Sequence, residues 1–267
     1  MSLSILDKEC TSNVHFSFAV IGGVGFSHLD DRSQITVNTE YGAVQASIAR
    51  MAGINVLFIP RHTGSSGHVP PHRINYRANI MAIKQLGITR VVAVNSVGTI
   101  HGHPIGSMVL PYDFVDFTCM RPSTFFEDQT VHADMSEPYC PQLRSLIRSI
   151  LKEKGVQTAD VIYACTEGPR FETKAEIRML SSFADVVGMT GLPEVVLAKE
   201  MQLCYASLCL VTNMASGIES ARPTATEVLD ILTSRKEFIF ELLHSIAARM
   251  PIDRECMCNN AIDNGTL

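Results

Sequence analysis

Apolar residues in this chain fall into short continuous blocks that alternate with stretches at helical spacing. "FSFAVIGGVGF", from Phe16, reads as a buried strand running into a glycine turn. Residues 43–60 read as a hairpin of two apolar-rich strands joined near Ala52 and Gly53. Helical spacing then runs from Asn75 to Leu86 and is closed by Gly87. "RVVAVNSVG" and "SMVLPYDFVDF" predict two strands, and residues 141–154 an amphipathic helix with Pro141 early and Gly155 just past its end. The second half repeats the alternation. "DVIYACT", "ADVVGMT" and "CYASLCLVTN" read as strands, with "TKAEIRMLSSF" and "LPEVVLAKEMQ" as the helices between them. A long helix from Thr224 to about Met250 follows.

Continuous apolar strands alternating with helices imply a single-domain, three-layer α/β/α fold around a central mixed, largely parallel sheet. No linker divides the chain, so one domain is expected over 14–250, with polar, flexible termini at 1–13 and 251–267. A net charge of −5 with scattered basic residues gives no footprint for nucleic acid or a membrane surface. No apolar run is long enough for a signal peptide or a membrane span, and a cytoplasmic location is expected. Eight cysteines without regular spacing read as reduced thiols. Cys256 and Cys258 are too isolated a pair to imply a metal, and no cofactor is expected.

Ligands of such sheets gather at the carboxyl ends of the strands. That rule selects Gly22 to Gly25, Arg61, His62, Asn95, Ser96, Thr166 to Glu172, Met189, Thr190 and Asn213. The glycine turn can present backbone N–H groups to an anion, and Arg61 with His62 adds a fixed cation and a second donor. Each has a plainer reading. The glycines serve equally as a turn, Arg61 as a surface cation, and Glu172 as a carboxylate favoured by a helix dipole.

Together the segments "IGGVG", "RH", "HVPPHRINYRAN", "NSVG", "CMRPSTF", "MSEPYCP", "TEGPRFET", "GMTGLPEVVLAKE" and "VTN" occur in an order that resembles the trimeric nucleoside phosphorylases. That family includes purine nucleoside, methylthioadenosine and methylthioinosine phosphorylases, and the likeness spans about residues 18–248. It implies phosphorolysis of a purine–sugar bond in a homotrimer, with inorganic phosphate as co-substrate. It also implies a phosphate site at Gly23, Val24, Arg61, His62, Asn95, Ser96 and Thr190, with Gly25 completing the glycine turn. Relatives have Thr or Ser where this chain has Val24, so one anion-binding hydroxyl is missing. Phe171, Glu172, Asn213 and Ala215 would hold the purine. Met189 would lie against the ribose, with His68 and His72 in the loop above it. Ala225 would face the 5′ group, and His132 would reach into a neighbouring subunit's site.

In the resemblance, Glu172 and Asn213 belong to the 6-oxopurine enzymes and act on the base during catalysis. Asn offers both a donor for O6 and an acceptor for N7–H, whereas a carboxylate facing N1 of adenine would meet a lone pair. An apolar Ala225 suits a methylthio group. The implied substrate is S-methyl-5′-thioinosine. Methylthioadenosine and inosine or guanosine are alternatives, followed by a nucleoside hydrolase and a non-catalytic purine sensor.

Overall fold

The hydrophobic pattern is realised in a nine-stranded mixed sheet, described by a computed structural model for residues 15–23, 33–64 and 67–266. In chain order the strands are β1 (Phe16–Gly22), β2 (Ser33–Thr39), β3 (Gly42–Met51) and β4 (Ile54–Pro60). A two-residue ribbon follows, β5 (Thr63–Gly64) and β6 (Gly67–His68). The remaining strands are β7 (Arg90–Thr99), β8 (Met108–Phe117), β9 (Ala159–Thr166), β10 (Val186–Gly188) and β11 (Cys204–Met214). Their spatial order is β10-β9-β8-β11-β7-β1-β4-β3-β2, with β10 returning to pair with β7. That return closes five strands, β7, β11, β8, β9 and β10, into a ring, whereas β1, β4, β3 and β2 extend from it as an open sheet.

The split occurs on β7 and it makes the cavity. β1 runs parallel to β7 over Val91 to Ala93, and β10 runs antiparallel to it over Gly98 and Thr99. Between those two pairings, residues 94–97 have no strand on that side. Val94 carbonyl, left without a β1 partner there, accepts instead from Arg61 Nη1 at 3.2 Å. A buried carbonyl needs such a substitute.

Five helices cover the two faces: α1 (Tyr76–Gln85), α2 (Pro141–Glu153), α3 (Lys174–Leu180), α4 (Glu194–Glu200) and α5 (Ala225–Arg249). α1 begins at Asn75, whose side chain accepts from the Ala78 N–H, and it packs with α4 over one face of the sheet. α2 and α5 pack over the other, through Leu143, Ile147, Ile239 and Leu243. Each of these side chains is fully buried and contributes about 1.5–3 kcal/mol by leaving water. Among the described residues no helix is long and apolar enough to cross a membrane.

Two features depart from the sequence reading. β2 pairs along its whole length with β3, although its "SQITVNT" pattern is too polar to announce a strand. The tail is the second departure. Residues 251–266 are packed against the body rather than loose, with Cys256, Cys258 and Ala261 buried. Arg90 Nη2 donates to the carbonyls of Ile252 and Asp253, and Arg254 Nη2 donates to that of Gln202. Small apolar side chains at every second or third position give the tail something to bury, and the buried Arg90 satisfies two of its carbonyls. Residues 1–13 lie outside the described residues, so the expectation for that end has no counterpart here.

Candidate active site

At the split in the sheet lies a cavity of about 500 Å³. Its wall includes Gly23, Arg61, His62, His68, Ser96, Phe171, Glu172, Met189, Thr190, Asn213, Ala215 and Ala225, twelve of the residues singled out from sequence. Val24 and Gly25 lie outside the described residues. Asn95 and His132 are elsewhere.

Arg61 sits at the floor, 2% exposed, and is no surface cation. Its Nε and Nη2 each donate to Glu194 at 2.8 Å in a bidentate pair, and Tyr205 OH donates to the same carboxylate at 2.7 Å. Burial alone would depress the guanidinium pKa; the Glu194 carboxylate overrides it and the net shift is upward, so Arg61 stays charged. Nη1 lies beside Gly23, 3.7 Å from where a Cβ there would stand.

His62 stacks on His68, with ring centroids 5.2 Å apart. Its Nδ1 lies 2.8 Å from the Val69 carbonyl, which only accepts, so Nδ1 carries the proton and Nε2 keeps a lone pair. Burial, with help from the charges of Arg61 and His68, pushes the His62 pKa down to about 4 against the opposing Val69 bond. At neutral pH the ring is uncharged.

Thr190 is positioned from two sides. Its backbone N–H and that of Gly191 donate to Tyr163 OH at 3.3 and 3.2 Å. Its hydroxyl donates to Asn95 Oδ1 at 2.9 Å, and Asn95 Nδ2 donates to Ser207 at 2.6 Å. Asn95 therefore stands behind the wall, 1% exposed, and sets the orientation of Thr190 from there. Tyr163 can approach this closely because residue 188 is glycine: a Cβ there would lie 2.4 Å from the phenol oxygen.

The cavity wall also carries Phe171, Glu172 and Asn213. Glu172, 8% exposed, accepts from Thr166 Oγ1 at 2.5 Å through Oε1, leaving its second oxygen for another partner. It takes no part in starting α3; Thr173 and Glu176 form that capping box themselves. Asn213 Nδ2 donates to the Met214 carbonyl and Oδ1 accepts from Thr212, both at 2.9 Å. The Met214 carbonyl only accepts, which fixes the amide's orientation. One N–H and one lone pair remain. Gly98 makes room for this amide, since a Cβ there would lie 3.0 Å from Nδ2. Phe171 is 37% exposed at the rim. Arg121, from "CMRPSTF", fastens the turn before it by donating to the carbonyls of Thr166, Glu167 and Leu192.

At the far end the wall turns apolar. Ala225, Val228 and Leu229 line it from the first turns of α5, with Pro223 just before. The spacing of Val228 and Leu229, three and four residues after Ala225, puts all three on one helix face and could have found them. Glu194 and Tyr205 had no comparable signal. A Glu following Pro at a helix start reads as a surface carboxylate.

The family described as Phosphorylase superfamily matches residues 17–248. The chain belongs to that superfamily. A relative from Methanosarcina acetivorans, named "Probable S-methyl-5'-thioinosine phosphorylase", is 51% identical over 93% of this chain and 96% of its own. A protein from Dictyoglomus turgidum, named "Probable 6-oxopurine nucleoside phosphorylase", is 42% identical over 91% of the chain and 95% of its own. Among solved structures, methylthioadenosine phosphorylase from an antarctic soil metagenomic library is similar with a TM-score of 0.82 and 29% identity. That likeness covers 94% of this chain and 92% of the other. The phosphorylase fold expected from the motifs is the fold observed. The ring closed by β10 is a detail that a three-layer description omits.

Proposed function

We propose that the protein is a purine nucleoside phosphorylase whose substrate is S-methyl-5′-thioinosine, cleaved by phosphate to hypoxanthine and 5-methylthioribose 1-phosphate. The observation that carries this reading is Glu172 and Asn213 on one cavity wall, the latter with its amide fixed. Asn213 has one N–H left for O6 and one lone pair left for N7–H. The free oxygen of Glu172 accepts from N1–H. Hypoxanthine satisfies all three, whereas adenine presents a lone pair at N1 and a donor at its 6-position. The relatives named for methylthioinosine and for 6-oxopurine nucleosides support the same reading.

In the reaction the C1′–N9 bond breaks as a phosphate oxygen bonds to C1′. Positive charge develops on the sugar, and the departing purine takes up a proton at N7, matched by the one that hydrogen phosphate gives up as it becomes the sugar phosphate. The Gly23 backbone holds phosphate below the sugar, with the charge of Arg61 behind it. Neutral His62 accepts a hydrogen bond from hydrogen phosphate through Nε2, and Thr190 turns its hydroxyl from Asn95 to the anion. Holding the anion in place supplies positioning and charge stabilisation together. Asn213 Oδ1 accepts the new N7–H; hydrogen bonding of this kind to the leaving group is worth about 10²–10⁴ in rate. Ala225, Val228 and Leu229 receive the methylthio group, where a 5′-hydroxyl would go unpaired.

His132 is exposed and is not on the wall of its own cavity. A homotrimer in which it reaches a neighbour's site accounts for that position; light scattering with activity measured on the separated species tests it, and an active monomer rejects it. A cytoplasmic location fits a salvage enzyme of this kind. The test of the function is a panel of methylthioinosine, methylthioadenosine, inosine, guanosine and adenosine, each with and without phosphate. Methylthioinosine cleaved fastest, and only with phosphate, is expected. Cleavage without phosphate would make the protein a hydrolase, and faster cleavage of methylthioadenosine would overturn the base assignment.

A further inference from the structure

Four cysteines from three distant stretches of chain meet below the sheet. Cys140 precedes α2, Cys204 opens β11, and Cys256 and Cys258 lie in the tail. All four are buried within the apolar layer that holds α2 and α5. Their sulfur atoms lie within 4.8 Å of one another, with Cys204 and Cys256 at 3.3 Å. We propose that these four thiols form a closed zinc site that fastens the C-terminal tail to the body of the protein.

A tetrahedral zinc ion with Zn–S bonds of about 2.3 Å places its sulfur ligands about 3.8 Å apart. The observed cluster brackets that spacing. The cluster is also four-way, since no sulfur lies more than 4.8 Å from any of the other three. Two disulfides would instead draw the sulfurs into two separate pairs about 2.05 Å long. Buried thiols in an apolar layer have few partners except each other, and a soft dication satisfies all four as thiolates. Arg254 contributes positive charge beside Cys204 and offsets part of the negative charge of a tetrathiolate.

The site is structural, because four protein ligands leave no position for water or substrate. It is also remote: Cys204 and Asn213 lie at opposite ends of β11, nine residues or about 30 Å apart. What it governs is the tail. Beyond Cys258 the tail accepts from the N–H of Asp134 through Ala261 and from that of His132 through Gly265, both at 2.8 Å. Val131 and Thr266 add a β-bridge. The four thiols thus anchor the strap that holds the His132 loop. The zinc assignment does not depend on which nucleoside is the substrate.

The test begins with protein purified without chelators and without oxygen. Metal analysis should give one zinc per chain, and titration of the denatured protein should recover every cysteine as a thiol. Metal-free protein given cobalt(II) should develop the visible absorption of a tetrahedral thiolate complex. Cys256→Ser and Cys258→Ser should each lose the zinc, while Cys119→Ser, an exposed cysteine elsewhere, should keep it. Four free thiols that bind neither zinc nor cobalt would overturn the proposal. So would an intact mass four hydrogens lighter than the reduced chain, the signature of two disulfides. The measurements on the unaltered protein decide the matter even when a serine variant fails to fold.

Discussion

Arg61 and Glu194 meet side-on at the floor of the cavity, Nε to Oε2 and Nη2 to Oε1, and neither side chain reaches solvent. The pair consumes most of the guanidinium fork. Only Nη1 is turned to the Val94 carbonyl and the Gly23 side, behind the cavity wall, and Glu194 determines its position.

Glu194→Gln should therefore cost both stability and phosphate binding. Removing one charge of a fully buried pair leaves the other uncompensated, a loss of about 3–5 kcal/mol. Urea unfolding reads the first effect and the phosphate KM the second. A stability change below about 1 kcal/mol, the range of exposed pairs, would mean that water reaches this one.

Tyr163→Phe should raise the phosphate KM more than it lowers kcat. The phenol oxygen accepts from two backbone N–H groups, those of Thr190 and Gly191, and an orphaned buried donor costs about 1–3 kcal/mol. Relaxation of that turn moves the Thr190 hydroxyl. Each 1.4 kcal/mol lost from phosphate binding is about tenfold in affinity. An unchanged KM in a folded variant would separate Tyr163 from the anion site.

Base preference should respond to Asn213 and Glu172 as a unit. Asn213→Asp replaces the donor for O6 with an acceptor for a 6-amino group, and should move the ratio of kcat/KM toward methylthioadenosine. Glu172→Ser should carry the shift further, and the two effects should not add, since both side chains grip one ring. A site built for one hydrogen-bond pattern rejects the other by about 10⁴–10⁵. Strict additivity would mean that the two residues do not contact a common base.

Acid should weaken the fold partly through His62. Its folded pKa of about 4 lies below its ordinary value of 6.5. Between those limits the unfolded chain binds a proton that the folded chain refuses. Stability is thus complete above about pH 6.5 and declines as pH falls toward 4, by no more than about 3 kcal/mol. His62→Gln should flatten that decline in unfolding measured from pH 7 to 4. An identical slope in the variant would assign the acid sensitivity to other groups.

The strands and helices were legible because nearly every one is a continuous apolar block or a clear helical period, bounded by Gly or Pro. Most cavity residues were legible because they sit where strands end. Asn95 shows the limit of that rule. It occupies a strand-end position in sequence, but its amide points to Thr190 and Ser207 behind the wall. Glu194 and Tyr205 were invisible for the opposite reason. Each looks like an ordinary helix or strand residue, and only the fold brings both to Arg61. The tail was misread because its burial depends on Cys140 and Cys204, far away in the chain, which no local pattern of polar residues reveals.

The return of β10 to β7 has a consequence for how copies of this chain can meet. A strand whose outer side is unpaired offers a template on which another chain can add. The ring removes such a margin from the half of the sheet that carries the site. Among the described residues the last strand of the open half is β2, whose outer side pairs with nothing. Its seven residues include Ser33, Gln34, Thr36 and Asn38, polar side chains that favour water over a second strand. Subunits joining near the cavity must then do so through side chains and loops, and strand exchange between misassembled copies has β2 as its point of entry.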